Sequence, residues 1–348
     1  MSATTRRQWL TFLATAVLLF GSWPSLVCQA ATLTGDAFFR GKTVRLLVGY
    51  APGGGYDSYA RLVAPALQAK LGSTVIVENQ PGGGGFNALQ NLMRGPSDGL
   101  TILLLNGEAA VLSAIIGQGG LQVDLRNLAY LGRVSYENRT LVALKETPFA
   151  HIAGYLKPAK PVFFGAGSRL DGLGEPASIL CDALNIPCKL ITGFQGATDA
   201  ALAMQRGEVD AMVTSESQVK HLVMSGPFAA VAILSANKAS LLPDVPSIFA
   251  LVQLSPERAR WLRFRAAIAN FGRTLVVPSK TPPDRIAALQ KAVAAVLTDS
   301  AVQEEGARTE RPIAYLSSAE SRRTLEGILA GFDPKQLDVL KKLILTAY

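Results

Sequence analysis

Short apolar runs alternate with helical spacings along most of the chain. Val44-Arg45-Leu46-Leu47-Val48 is apolar and β-branched and reads as a buried strand. It runs into Gly49-Tyr50-Ala51-Pro52-Gly53-Gly54-Gly55-Tyr56-Asp57, a stretch that breaks regular structure. From Ser58 to Leu71 the spacing of Leu62, Val63, Ala66, Leu67 and Leu71 predicts a helix, with Asp57 at its N-cap. Thr74-Val75-Ile76-Val77 reads as a second strand, followed by Glu78-Asn79-Gln80-Pro81 and four glycines, 82–85. A helix over 86–93 and a strand over 100–105 complete a first unit. Strands alternating with helices at these intervals predict the α/β class with a mostly parallel sheet.

The alternation then restarts. Strands are predicted at 141–144 and 161–164, a glycine turn at Gly165-Ala166-Gly167-Ser168, and a helix over 175–184. A strand at 189–192, a helix over 198–206, a strand from Val209 and another at 231–234 fill the second unit. Thr281-Pro282-Pro283-Asp284 opens a helix by N-cap and first-turn proline logic. Its face is Ile286, Leu289, Val293 and Val296, with Gly306 ending the pattern, and the C-terminal helices should pack back on the first unit.

The N-terminus follows another rule. Arg6 and Arg7 precede an uncharged run of 15 residues from Trp9 to Trp23, below the ~18 needed to span a membrane. A polar stretch then ends at Cys28-Gln29-Ala30, so residues 1–30 read as a secretory signal cleaved before Ala31. Arg6-Arg7 also fits a twin-arginine signal. Cys28 raises a lipoprotein reading, against which Val27 is bulkier than a lipobox wants, and an uncleaved anchor is a further alternative. Removing these thirty residues and their two arginines from a chain of 348 with net charge +8 leaves 318 residues and +6. Cys181 and Cys188 would then sit in an oxidising compartment, either bridged or as two buried thiols. Their spacing is not that of a redox CxxC pair.

Composition narrows the function classes. An apolar fraction of 49% and sparse charge supply a core and exclude long disorder. Two histidines and three cysteines exclude a His-rich metal site or a zinc-finger array, and no cofactor is expected. Glycine loops at 53–55, 82–85 and 165–167 follow predicted strands, where ligands bind in parallel sheets. Their amides, backed by helix N-termini, would make an anion cradle, though each loop could equally be a tight turn. A dinucleotide fingerprint fails because Ser58 stands where the third glycine belongs. Catalytic pairings are poor: Ser168 lies outside G-x-S-x-G, His151 and His221 adjoin no nucleophile motif, and Asp57 and Glu78 read as capping or structural carboxylates. Arg258, Arg260, Arg263 and Arg265, interleaved with Trp261 and Phe264, read as a solvated helix face with a packed aromatic side. Docking to a membrane partner is the alternative there, and nucleic acid would need a larger basic surface.

An ordered set of motifs resembles one family. Gly53-Gly54-Gly55-Tyr56-Asp57-Ser58, Glu78-Asn79-Gln80-Pro81-Gly82-Gly83-Gly84 and Pro96-Ser97-Asp98-Gly99 come first. Gly193-Phe194-Gln195-Gly196, Arg206-Gly207-Glu208-Val209-Asp210, Leu242-Pro243-Asp244-Val245-Pro246-Ser247 and the stretch 278–285 follow. Together they resemble the Bug family, extracytoplasmic substrate-binding proteins of tripartite tricarboxylate transporters. The resemblance implies a two-lobed, type II-like periplasmic-binding-protein (Venus-flytrap) fold, with lobe 1 at 31–138 plus 260–348 and lobe 2 at 139–259. It implies a non-enzymatic, monomeric, periplasmic protein that binds a small carboxylate, delivers it to permease subunits, and binds no nucleic acid. Transferred ligand contacts are Gly54, Tyr56, Asp57, Ser58, Asn79, Gly83, Gly84, Phe86 and Asn106 from one lobe. The other lobe offers Gly167, Ser168, Phe194, Gln195, Gly196 and Ser215. Departures are Gly83 where alanine is common, Phe194 in place of tyrosine, and Arg169 after Ser168. A secreted sensor subunit is the alternative function, and a hydrolase using Ser168 the third.

Overall fold

The computed structural model describes residues 35–117, 123–331 and 333–348. The expected secretory segment, with Arg6, Arg7, Cys28 and Ala30, lies outside the described residues. In chain order the first lobe holds α1 (Gly35–Phe38), β1 (Thr43–Val48), α2 (Gly55–Leu71), β2 (Thr74–Asn79), α3 (Phe86–Arg94), β3 (Thr101–Asn106), α4 (Gly107–Ile116) and β4 (Leu128–Ser135). Residues 136–138 cross into the second lobe. It holds β5 (Arg139–Leu144), α5 (Ile152–Leu156), β6 (Val162–Gly165), α6 (Gly174–Leu184), β7 (Cys188–Ile191), α7 (Ala197–Gln205), β8 (Ala211–Ser215), α8 (Glu216–Ser225), β9 (Phe228–Ile233) and α9 (Ile248–Leu251). α10 (Pro256–Phe271) leads back to β10 (Arg273–Pro278), α11 (Pro283–Leu297), α12 (Ser300–Arg308), β11 (Leu316–Ser317), α13 (Ser318–Ala330) and α14 (Pro334–Thr346).

Each lobe is built on one sheet, of order β11-β4-β10-β3-β1-β2 and β7-β6-β8-β5-β9. Both sheets are mixed, where the strand–helix alternation predicts mostly parallel ones. β1 runs parallel to β2 and β3, and β6 to β7 and β8, as the alternation requires. β10 is antiparallel to β3 and β4, and β5 to β8 and β9. The reason is the double crossing: β5 and β10 each begin where the chain arrives from the other lobe, so they start at the edge where β3 and β8 end.

Burial follows the strand period. In β1, Leu46 and Val48 face a core shared with Val63 and Leu67 of α2 and Leu289, Val293 and Val296 of α11. Leu47 faces the opposite core, which runs on through α3, α4 and α10 to Ile179 and Leu180 of α6 in the second lobe. Each such aliphatic side chain contributes roughly 1.5–3 kcal/mol on full burial. α10 packs against both α4 and α6, as does α14, so the lobes form one compact unit.

Three local expectations change. α2 begins at Gly55 with Gly54 as N-cap, so Asp57 lies in the first turn and not at the cap. The helix predicted through Gly306 is two helices: α11 stops at Leu297, Asp299 accepts from Ala301 N to cap α12, and Gly306 is inside α12. Arg265 is not on a solvated face; it is 1% exposed, beside the buried Trp261 and Phe264. Cys181, near the end of α6, and Cys188, opening β7, are joined by a disulfide with Cα atoms 6.1 Å apart. Among the described residues no helix is long and apolar enough to cross a membrane.

Candidate functional site

The double crossing brings charges together between the lobes. Strand register sets Arg273, first in β10, opposite Asn106 at the end of β3 and Ser135 at the end of β4. Arg139, first in β5, lies opposite Ser215 at the end of β8. These strand ends border a cavity of about 190 Å³. Tyr56, Asn106, Glu108 and Arg273 line it from the first lobe, Arg139 and Ser215 from the second, with Glu137 from the crossing between them. Larger hollows of about 510 and 540 Å³ lie on α1, α2 and α11 and beside α4, without this convergence of both lobes.

The cavity's charges are already paired. Glu108 Oε1 accepts from both Arg139 and Arg265. Arg265 Nε also lies 2.7 Å from Glu175 Oε2, with both side chains essentially buried. Burial raises the Glu108 carboxyl, but the two guanidinia outweigh it and hold it at about 2. Burial dominates at Glu175 and, despite Arg265, pushes its carboxyl up to about 7. Glu137 Oε1 accepts from Arg273 Nη2 at 2.6 Å, and its Oε2 accepts from Ser217 Oγ at 2.6 Å at the start of α8. Burial raises the Glu137 carboxyl, and Arg273 with Ser217 brings it below its ordinary value. The Arg273 guanidinium also stacks 4.9 Å from the Tyr56 ring and 4.7 Å from Tyr59. A Cβ built on Gly55 would lie 3.5 Å from Arg273 Nη2, so the first turn of α2 meets this guanidinium. Arg139 Nε and Arg273 Nε remain buried without a hydrogen-bond partner.

The glycine loops are not the empty anion cradle expected of them. In each of three loops a carboxylate four residues on takes the amides. Gly53 N donates to Asp57 Oδ2 at 2.9 Å and Gln195 N to Asp199 Oδ2 at 3.1 Å. Asp171 accepts four amides, from Gly167 and Ser168 on Oδ2 and from Leu173 and Gly174 on Oδ1, at 2.7–3.0 Å. Arg61 Nε also binds Asp57, and this hydrogen bond, aided by Gly53 N–H, lowers the Asp57 carboxyl to about 2 against burial. The tetraglycine turn differs. Gly82, Gly83, Gly84 and Gly85 all have φ between +58° and +125°, a run that only glycine accommodates. Gly84 O there accepts from Tyr50 Oη at 2.8 Å, and Tyr50 Oη accepts from Asn106 Nδ2 at 2.6 Å.

Of the transferred contacts, Tyr56, Asn106 and Ser215 share the charged cavity. Gly83, Gly84 and Phe86 line a second, apolar chamber of about 170 Å³ with Leu112, Ile116 and Leu170. Gln195 and Gly196 line a hollow on the second lobe with Leu173 and Thr214. Phe194 packs at the edge of that lobe's core. Asn79 is engaged elsewhere: its Nδ2 donates to Tyr50 O and its Oδ1 accepts from Arg61. Gly54 N donates to Ala51 O, Ser58 N donates to Gly54 O in the first turn of α2, and Gly167 and Ser168 bind Asp171. Ser168 makes no hydrogen bond to a histidine among the described residues, and its N–H donates to Asp171. No sequence motif marks Glu108, Glu137, Arg139 or Arg273. The register of strands distant in sequence is what makes them neighbours.

Known proteins share this architecture. A Polaromonas TctC solute binding protein superposes with a TM-score of 0.67 at 21% identity, over 87% of this chain and 98% of that one. The periplasmic binding protein BugD superposes at 0.63 and 22% identity, over 87% and 97%. An R. palustris protein with adipate and MatC from Rhodopseudomonas palustris with bound malate superpose at 0.66 and 0.61, at 19% and 20% identity, over 87% of this chain and 97% and 99% of theirs. In sequence, the Bordetella pertussis protein BugT is 23% identical over 79% of this chain and 82% of its own length. The likeness confirms the two-lobed binding-protein fold. A family model described as the tripartite tricarboxylate transporter family receptor, TctC, matches residues 59–325, and the chain therefore belongs to this family of solute-binding receptors, which are binding proteins and not enzymes.

Proposed function

We propose that the protein captures a small carboxylate between its lobes in the periplasm and, as a monomer, delivers it to the permease of a tripartite tricarboxylate transporter. The observation that carries the ligand reading is the interlobe cavity, where the side chains of Arg139 and Arg273, 16% and 14% exposed, meet Tyr56, Asn106 and Ser215. A hydrogen bond to a charged group contributes roughly 1.5–3 kcal/mol, so a ligand carboxylate that reaches either guanidinium gains from it. Ser215, Tyr56 and Asn106 add polar groups from both lobes, so closure on the ligand engages each lobe. The adipate and malate complexes of the R. palustris neighbours support a carboxylate. Family membership supports the transporter, and the N-terminal secretory pattern with BugD's periplasmic description supports the compartment.

Thermal melting of protein unfolded, dialysed free of carried-over ligand and refolded tests the ligand class. At a hundredfold excess over Kd a ligand specific to the folded state adds about 2.7 kcal/mol. That should raise Tm by several degrees, at roughly 2–4 °C per kcal/mol. Acids should shift Tm while their amides stay silent. Equal shifts from acid and amide, or shifts from sugars or cations alone, would overturn the carboxylate reading.

A further inference from the structure

The interlobe cavity carries both signs of charge in balance. Arg139 and Arg273 line it, and so do Glu108 and Glu137. Each guanidinium is held by a carboxylate of the same cavity, Arg139 by Glu108 and Arg273 by Glu137. Behind them the buried Arg265 is shared between Glu108 and Glu175. A simple anion drawn to either lining guanidinium is therefore opposed by the carboxylate beside it.

The two ion pairs differ in what they leave open. Glu137 engages both oxygens, Oε1 with Arg273 Nη2 and Oε2 with Ser217 Oγ. Glu108 engages only Oε1, which accepts from Nη2 of both Arg139 and Arg265. Among the described residues Glu108 Oε2 accepts no hydrogen bond and Arg139 Nη1 donates none, and neither atom is shut away from solvent as Arg139 Nε is. The two side chains are 18% and 16% exposed. One open acceptor and one open donor, of opposite charge, thus stand beside each other on a single ion pair. The cavity, at about 190 Å³, is smaller than the ~300 Å³ at which sites for drug-sized ligands begin, so its occupant is compact. An α-amino acid carries a carboxylate and an ammonium on one carbon. Its carboxylate suits Arg139 Nη1 and its ammonium suits Glu108 Oε2, each as a charge-assisted hydrogen bond. The ammonium turns the opposition of Glu108 into attraction.

We propose that the preferred ligand is a small α-amino acid bound as its zwitterion, with Arg139 receiving the carboxylate and Glu108 selecting for the ammonium. This rests on the carboxylate reading above and names the ligand class within it.

Isothermal titration calorimetry on protein freed of carried-over ligand tests it. L-Alanine and L-aspartate are compared with propionate and succinate, which lack only the amino group. At least one of the amino acids should bind tenfold or more tightly than its deaminated partner, because a hydrogen bond between charged groups ordinarily contributes that much. Glu108→Gln keeps the shape and removes the charge. It weakens the hold on the ammonium and frees Arg139 for a plain acid, so it should reduce the preference at least tenfold. Circular dichroism melts check that this variant is folded, and if it is not, the comparison of ligands on the parent protein decides alone. Propionate and succinate binding as tightly as their amino acids would overturn this proposal and leave the carboxylate reading standing. An unchanged preference in folded Glu108→Gln would also overturn it. No binding by any of the four would count against both.

Discussion

Replacing Glu175 by glutamine should change how stability depends on pH. Glu175 is 1% exposed and its only ionic neighbour within 4 Å among the described residues is Arg265. Burial raises its carboxyl from 4.5 to about 7. A carboxyl whose folded-state pKa is raised contributes fully below the unfolded value, and that contribution is lost as pH rises through the folded one. The loss therefore accumulates between about pH 4.5 and 7. At 1.36 kcal/mol per pKa unit it amounts to roughly 3 kcal/mol. Glutamine keeps the shape and carries no charge, so Glu175→Gln should match the parent near pH 4 and exceed it by about 3 kcal/mol at pH 7.5. Glu108, held at about 2, adds to the slope only below about pH 5, where its unfolded-state carboxyl takes up a proton, and it does so in both proteins, so it cancels from the difference. Urea denaturation at half-unit steps from pH 4 to 8, read as the midpoint times a common m-value, gives the difference. For a chain of this size, ~3 kcal/mol corresponds to about 6 °C in Tm. Parallel curves for the two proteins, or a variant less stable than the parent at pH 7.5, would refute the reasoning. Either result would mean that Arg265 holds Glu175 ionised without penalty.

Asp171→Ala strips four amides of one carboxylate, and loss of a helix-terminal acceptor of this kind should destabilise the second lobe by about 2 kcal/mol or more. Hydrogen exchange should accelerate most at 167–174. Joint replacement of Cys181 and Cys188 by alanine should cost roughly 2–3 kcal/mol for so short a loop, read from the urea midpoint. The parent protein, denatured without reductant, should show neither thiol to an alkylating agent.

Much of the framework is legible in the chain, because local pattern dictates it. β1, α2, β2, α3 and β3 follow their periods to within a few residues, and the glycine turns fall between them. The site is less legible because its charges meet through register. Nothing near Arg273 in sequence announces Asn106, and nothing near Arg139 announces Ser215. The strand–helix alternation does not mark the central strands β4 and β10, nor with them the mixed pairing of the first sheet. Two signals were available. Gly53 with Asp57, Gly167 with Asp171 and Gln195 with Asp199 repeat one spacing of four, which indicates loops closed by their own carboxylates. Arg265 follows Trp261 by four and precedes Ile268 by three, which puts it on the apolar stripe of α10 and not among the solvated arginines.

The central claim is that the ligand's carboxylate lies between the lobes at Arg139 and Arg273. A crystal structure of the protein with the tightest-binding acid tests it most directly. The account predicts a carboxylate within 2.7–3.2 Å of a guanidinium nitrogen of Arg139 or Arg273. It also predicts contact with Ser215 or Asn106, and Asp57, Asp171 and Asp199 still holding their loop amides. A carboxylate seated instead on the glycine-loop amides, with Asp57 or Asp171 displaced, or bound outside the interlobe cleft, would contradict it.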